Sequence, residues 1–532
     1  MANTEKPNII LFMMDQLAAK WLEAAGDGIV PTPNFDRLRA MGTTFTNTIS
    51  SCPLCSPSRA TLATGLSVRN HGVFNNSFYL DESLPTFMKL LQDSGWRTAA
   101  FGKFHFRPHF MGLHPDYLPY GFDEQSITED ARGGEWLDWV RSEHSEHFNA
   151  VLSTIWARNI PDWKSYGPEN EDLTELMNEI PLLIDRNPSA EWVKFGISQK
   201  ELSKRKQSYS SLQGCYELPF PEEVSQTNWI TMNGTRFIKE ATGPWFAQIS
   251  FVQPHTPYTP PTGYLEHVDT TRIPDPLSAE WKDDPLGPVC FSDTMGFDGE
   301  ISPKWKDERH HYFADIHHLD KQMGVVLDTL QETGQLENTY IIALADHGEM
   351  LHDHGMKGKG EVHYDASIRV PLIVSGPGLE SGQVRDEIIQ LEDIFPTVIE
   401  MAGLPLPEAR VINSDKQYES FPGCSLVPIC RGEEIEEPRE YAYVGSYNNM
   451  SSSTPANWAR TIRDAEWRYT YYPMGKGEQL FNLEEDPDEQ VNLAGDPEYA
   501  NTRLEMRDRL LEAEILQGYP YSPRSFYAFG VH

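Results

Sequence analysis

Asn8-Ile9-Ile10-Leu11-Phe12-Met13-Met14 is a short apolar run that stops on Asp15-Gln16. A run without polar alternation is the pattern of a strand covered on both faces, which places it in a parallel sheet of an α/β fold. In such sheets ligands bind beyond the carboxyl ends of the strands, so Asp15 and Gln16 are placed for chemistry. The same grammar recurs far downstream in Tyr340-Ile341-Ile342-Ala343-Leu344-Ala345, which ends in Asp346-His347-Gly348. One Asp at a strand end would serve equally as a helix cap or turn residue; two matched ends favour a shared site. Oxygen donors with one imidazole suit Ca²⁺, Mg²⁺ or Mn²⁺ better than a metal that prefers thiolates.

Two more runs share this pattern. Residues 97–101 lead into Gly102-Lys103-Phe104-His105, and 245–252 lead into Gln253-Pro254-His255-Thr256-Pro257. Lys103 and His105 face one pocket if the segment between them stays extended. A lone Lys or His after a strand is ordinarily solvated or structural, and the repeated strand-end position is what singles these out.

Residues 51–65 read SCPLCSPSRATLATG. Ser56 suits a helix N-cap, Pro57 the first helical position and Gly65 a left-handed stop. Cys55 is therefore expected just before a helix N-terminus, where free N–H groups and the helix dipole favour an anion. Two bland readings compete: a buried Cys that fills space, or Cys52-Pro53-Leu54-Cys55 as a redox or zinc half-site. No second close pair exists among Cys215, Cys290, Cys424 and Cys430 to complete a zinc ribbon. The redox reading leaves Ser-Pro-Ser-Arg unexplained.

Cys55-Ser56-Pro57-Ser58-Arg59, continued by Ala60-Thr61-Leu62-Ala63-Thr64-Gly65, resembles the signature of the type I sulfatases of the alkaline phosphatase superfamily. The resemblance implies an alkaline-phosphatase-like α/β fold, a large mostly parallel sheet flanked by helices with a smaller C-terminal antiparallel subdomain. It also implies oxidation of Cys55 to formylglycine by a maturation enzyme, and one divalent metal, Ca²⁺ first and Mn²⁺ or Mg²⁺ next, held by Asp15, Gln16, residue 55, Asp346 and His347. Lys103 and His105 resemble the family's G-K-x-H motif, and His255 its P-H-x-P segment, whose histidine can protonate the leaving group. A substrate-binding lysine is expected shortly before Arg369-Val370-Pro371-Leu372, where Lys359 fits the offset better than Lys357. Arg59 would orient the gem-diol nucleophile formed on residue 55, and Asn75 can line the pocket, although turn formation explains it as well. Gln16 stands where the family usually has a second Asp, as in the choline-sulfatase and phosphonate monoester hydrolase branches. The expected reaction is hydrolysis of a carbohydrate, aryl or alkyl sulfate monoester. A phosphonate monoester or phosphodiester hydrolase using the same site is the nearest rival, and a noncatalytic binder of sulfated glycans is a more distant one.

The chain has 532 residues, enough for a large domain and a smaller one, expected at 1–430 and 431–532, with an insertion at about 108–223 rich in acidic and aromatic residues. Trp136, Trp139, Trp156, Trp163 and Trp192 in that insertion suit a substrate wall or ordinary packing. His352, His354 and His363 are expected around the site's periphery or on the surface. Amphipathic helices are expected at 33–41 and 84–94, a helix with an apolar face at 312–332 and a last helix at 501–513, and strands of a smaller antiparallel unit at 440–447 and 467–472. The formal net charge of -35 disfavours nucleic acid and anionic membranes as partners, and an anionic ester then needs a local cationic pocket. No run approaches membrane-spanning length, and the first residues lack the apolar core of a secretory signal. Taken literally this points to the cytoplasm; a trimmed start would leave a periplasmic or secreted location open. Assembly into a homo-oligomer is compatible with these features.

Overall fold

The structure is a computed structural model of the chain and describes residues 6–108, 111–155, 160–167, 169–179, 214–407, 422–435, 438–447 and 455–517. Its frame is an eight-stranded sheet built from β1 (Asn8–Met14), β2 (Gly42–Ile49), β3 (Arg97–Gly102), β4 (Glu124–Ile127), β5 (Trp245–Ser250), β6 (Thr339–Ala345), β7 (Arg369–Ser375) and β8 (Gln383–Gln390). The spatial order is β4-β3-β5-β1-β6-β7-β2-β8, and only β7 opposes the rest. Every residue of β1, β5 and β6 is buried, as their unbroken apolar patterns require of central strands covered on both faces.

Register decides where chemistry can happen. Met14 pairs with Ala345, Met13 with Ser250, Gly102 with Ser250, and Ile127 with Gly102. Five parallel strands thus end in one row, and the residues after them meet. Gly102 permits this closeness: its φ is 94°, and a Cβ there would lie 1.9 Å from the Ser250 carbonyl oxygen. Lys103 N donates to that same oxygen at 2.9 Å.

Helices cover the sheet. The expected 33–41 helix is Pro33–Met41, and the long helix is Trp305–Glu332, seven residues longer at its start than its apolar face alone indicated. The helix expected at 84–94 begins later, spanning Phe87–Asp93, because Thr86 Oγ1 accepts the Lys89 N–H and caps it there. A second sheet, order β12-β11-β10-β9, is fully antiparallel, with β9 (Ala442–Gly445), β10 (Arg460–Arg463), β11 (Trp467–Tyr472) and β12 (Gly477–Asn482). The helix Ala500–Gln517 packs on it through Met506, Leu510 and Ala513.

The region expected to be an insertion is not wholly outside the frame, since β4 within it forms one edge of the large sheet. Of its tryptophans, Trp136 is buried and donates to the Val224 carbonyl at 3.0 Å, Trp163 stacks on Tyr166, and Trp139 is partly buried against the core. These serve packing. Trp156 and Trp192 lie outside the described residues. No helix among the described residues is long and apolar enough to cross a membrane.

Candidate active site

Cys55 opens the helix Cys55–Thr64, whose N-cap is Leu54 and whose left-handed stop is Gly65, φ 65°. The cap position therefore falls before the expected Ser56. Asn76 Oδ1 takes over the capping task, accepting the Ser56 N–H at 3.0 Å. Cys55 is fully buried, with Sγ 3.2 Å from His347 Nε2 and 3.9 Å from both Asp15 Oδ1 and Lys103 Nζ. Burial alone would push the thiol up. Lys103, Lys359 and His347, with a hydrogen bond from His105, bring it well below its ordinary range. This is an enclosure built for an anion at position 55.

Asp15, Cys55, Asp346 and His347 each offer a ligand atom, all within 4.8 Å of one another. His347 Nδ1 faces the Gly348 carbonyl at 3.0 Å and so carries its hydrogen there, which turns the Nε2 lone pair toward the cluster. Two carboxylates, one imidazole and the atom on residue 55 fit a hard divalent cation. Gln16, expected as a further ligand, directs its side chain elsewhere: its amide nitrogen donates to Glu349 and its oxygen accepts from Lys359. Its backbone N–H donates to Asp346 Oδ1 at 3.0 Å, so it supports the cluster from the main chain.

Arg59 lies on the same helix face one turn on, fully buried. It donates to Asp346 Oδ2 at 2.8 Å, Asp15 Oδ2 at 3.1 Å, the Lys103 carbonyl at 2.6 Å and Ser250 Oγ at 3.0 Å. One guanidinium thereby ties the ends of β1, β3, β5 and β6 together. Lys103 is bracketed by Asp15 and Asp130, the latter at 2.5 Å. Despite burial, the two anions hold the ammonium well above its usual value.

The chain does not stay extended through 103–105. His105 adopts φ 52°, because Glu129 Oε1 accepts both the Phe104 and the His105 N–H groups and closes a turn. The ring nevertheless reaches Cys55. His255 is buried after β5 and donates Nδ1–H to the Thr256 carbonyl at 2.6 Å, which leaves Nε2 clear of that bond. Lys359 faces Gln16 and Cys55, whereas Lys357 pairs with Glu308. Asn75 Oδ1 accepts the Ser77 N–H at 2.7 Å, the turn role weighed for it. His352, His354 and His363 are all buried rather than on the surface: His352 pairs with Glu308, His354 stacks on Tyr364, and His363 bridges Thr461 and Ser446.

Sequence reasoning passed over Asp130, Glu129 and Asn76. The available signal was the pair Glu129-Asp130 after Ser126-Ile127, but a four-residue strand with two partly exposed polar residues gives no apolar run to read.

With this geometry in view, the chain compares directly with known proteins. The sulfatase family matches residues 7–404. The chain belongs to the sulfatase family. It is accordingly a hydrolase of the sulfatase class, with an alkaline-phosphatase-like fold. Residues 353–515 also match the C-terminal family described as N-sulphoglucosamine sulphohydrolase. An arylsulfatase of Clostridium perfringens is 27% identical over 547 residues, covering 97% of this chain and 98% of that one. A choline-sulfatase of Rhizobium meliloti is 29% identical over 515 residues, covering 93% and 83%. The crystal structure of a phosphonate monoester hydrolase of Agrobacterium radiobacter superposes with a TM-score of 0.74 at 25% identity, covering 96% of each chain.

Proposed function

We propose that this sulfatase cleaves a sulfate monoester of a carbohydrate, aryl or alkyl alcohol, using residue 55 as nucleophile after a formylglycine-generating maturation enzyme has oxidised Cys55. The observation that carries this reading is the placement of Cys55 Sγ, buried among Lys103, Lys359, His105 and His347 at the mouth of a helix. Formylglycine there would supply the attacking oxygen, and a divalent cation on Asp15, Asp346 and His347, Ca²⁺ before Mn²⁺ or Mg²⁺, would supply positive charge beside it. Lys103 and Lys359 hold the nonbridging oxygens of the ester, where anionic charge must be met by fixed cations. His255 presents Nε2–H to the departing alcohol. His105, whose ring lies toward position 55, would serve as the base for a proton leaving that residue. Arg59 holds both carboxylates in place by donating to each.

The arylsulfatase and choline-sulfatase relatives support sulfate as the transferred group. Gln16 in place of a second carboxylate, together with the likeness to a phosphonate monoester hydrolase, supports a second reading in which the same residues act on phosphonate monoesters or phosphodiesters. Parallel kinetics on an aryl sulfate and an aryl phosphonate monoester separate the two. Mass spectrometry of the peptide carrying Cys55 tests the nucleophile, because exchange of thiol for aldehyde lightens that peptide and abolishes alkylation. Cys55→Ala is expected to fold and to lose turnover by orders of magnitude; active protein that holds only cysteine at position 55 overturns the assignment.

A further inference from the structure

His255 sits in segment 253–259, which leaves the sheet after β5 and whose one regular pairing is the isolated bridge of Tyr258 to Cys215. Its own hydrogen bonds, from Nδ1 to the Thr256 carbonyl and from its N–H to the Val252 carbonyl at 2.9 Å, are local, reaching no farther than the residue just before that stretch. They fix the ring relative to the loop and leave open what fixes the loop relative to the site.

The answer comes from the middle of the helix Trp305–Glu332. Asp315 is fully buried there, and its two oxygens are shared between the two ends of the loop. Oδ1 accepts from Gln253 Nε2 and Oδ2 accepts the Thr259 N–H at 2.9 Å. Gln253 closes the bracket by donating also to the Thr259 carbonyl at 3.1 Å. Its Oε1 accepts from Thr227 and lies 3.1 Å from His318 Nδ1, so the amide cannot turn over without losing its bonds to Asp315, the Thr259 carbonyl and Thr227. The Gln253 carbonyl accepts the Asp15 N–H at 3.2 Å, and Arg132 donates to Thr259 Oγ1 at 3.1 Å from the far side. One carboxyl group thus pins both ends of the loop that carries His255 and connects it to the strand end that carries Asp15.

We infer that Asp315 is a positioning residue, holding His255 in register with the departing alcohol through Gln253 and the Thr259 backbone. The inference rests on the reading of His255 as the proton donor. Asp315→Asn tests it closely. The substitution keeps size and shape but sets an NH₂ group against one of two N–H donors, so the bracket opens without leaving a cavity.

The experiment measures kcat/KM of the matured full-length protein on alkyl and aryl sulfates of graded leaving-group acidity, for wild type, Asp315→Asn and His255→Ala. A misplaced acid hurts most where the alcohol most needs a proton. The expected loss for Asp315→Asn is roughly 10- to 100-fold on alkyl sulfates and under about 3-fold on the most acidic phenol, within the range that general acid catalysis supplies. KM is expected to stay within a few-fold. His255→Ala should give the same slope with larger losses. A uniform loss across the series, or none, in Asp315→Asn overturns the inference while the His255→Ala slope leaves the role of His255 standing. A flat His255→Ala series removes the proton donor itself and this inference with it. Should Asp315→Asn fail to fold, Gln253→Ala, which opens the same bracket from the other side, is judged by the same slope.

Discussion

Arg59 Nε stands 2.8 Å from Asp346 Oδ2, and the same guanidinium reaches Asp15, so one buried cation holds the two carboxylates that end the central strands. Removing a partner from a buried ion pair leaves charge without compensation, which costs far more than the intact pair contributes. Arg59→Ala is expected to lose about 3–5 kcal/mol of stability. Arg59→Lys, a point charge in place of a fork, should lose part of that. Denaturant unfolding of the two variants checks both; a change within about 0.5 kcal/mol, the range of an ordinary surface substitution, contradicts the bridge.

The cluster of Asp15, Asp346 and His347 leads to a binding prediction independent of turnover. Ligands that bind only the folded state stabilise it by mass action, about 2.7 kcal/mol at a hundred times Kd. Calorimetric titration with Ca²⁺, Mn²⁺ and Mg²⁺ should find one site in the wild type, and Asp346→Asn should weaken it by at least tenfold. Equal affinity in that variant would place the ion elsewhere.

Asn76 caps from a distance the helix that begins at Cys55, because Leu54 has no side-chain oxygen to do so. Asn76→Ala is expected to cost about 1 kcal/mol, the usual loss for an N-cap. It should also raise the reactivity of Cys55 toward thiol reagents in unmatured protein by fraying the first turn. A melting temperature and alkylation rate equal to wild type would argue that the cap is idle.

His363 joins the loop before β7 to the small sheet by hydrogen bonds to Thr461 and Ser446, and burial pushes its pKa down to about 3. The ring is neutral when folded and takes a proton near pH 6.5 when unfolded. Its contribution is therefore complete above about pH 6.5 and is lost as pH falls toward 3, at about 1.4 kcal/mol per pH unit. At pH 5 the cost is about 2 kcal/mol. His363→Gln is expected to flatten the acid side of the stability profile by that amount relative to pH 7.5. Parallel profiles for variant and wild type would show that His363 titrates alike in both states.

Much of the site was legible because each central strand announces itself locally: an unbroken apolar run must be buried on both faces, and the residues just after it land at the sheet edge. That logic found Asp15, Lys103, His255 and Asp346 before any fold was known. The extended path assumed for Lys103-Phe104-His105 was wrong, because the turn is made by Glu129 from beyond another strand. The Ser56 cap was wrong for a similar reason, with Asn76 supplying the oxygen from twenty residues away.

By itself the chain determined its central parallel strands, the reactive helix at Cys55 and the identity of the groups gathered there, since hydrophobic period and helix-stop chemistry act over a few residues. Tertiary structure alone decided that β4 lies beside β3 and brings Asp130 to Lys103, that Lys359 rather than Lys357 enters the pocket, and that Asp315 brackets His255. The reason is that a buried charge or amide is satisfied by whichever segment the sheet order and helix packing bring within about 3 Å, and no local pattern encodes that neighbour.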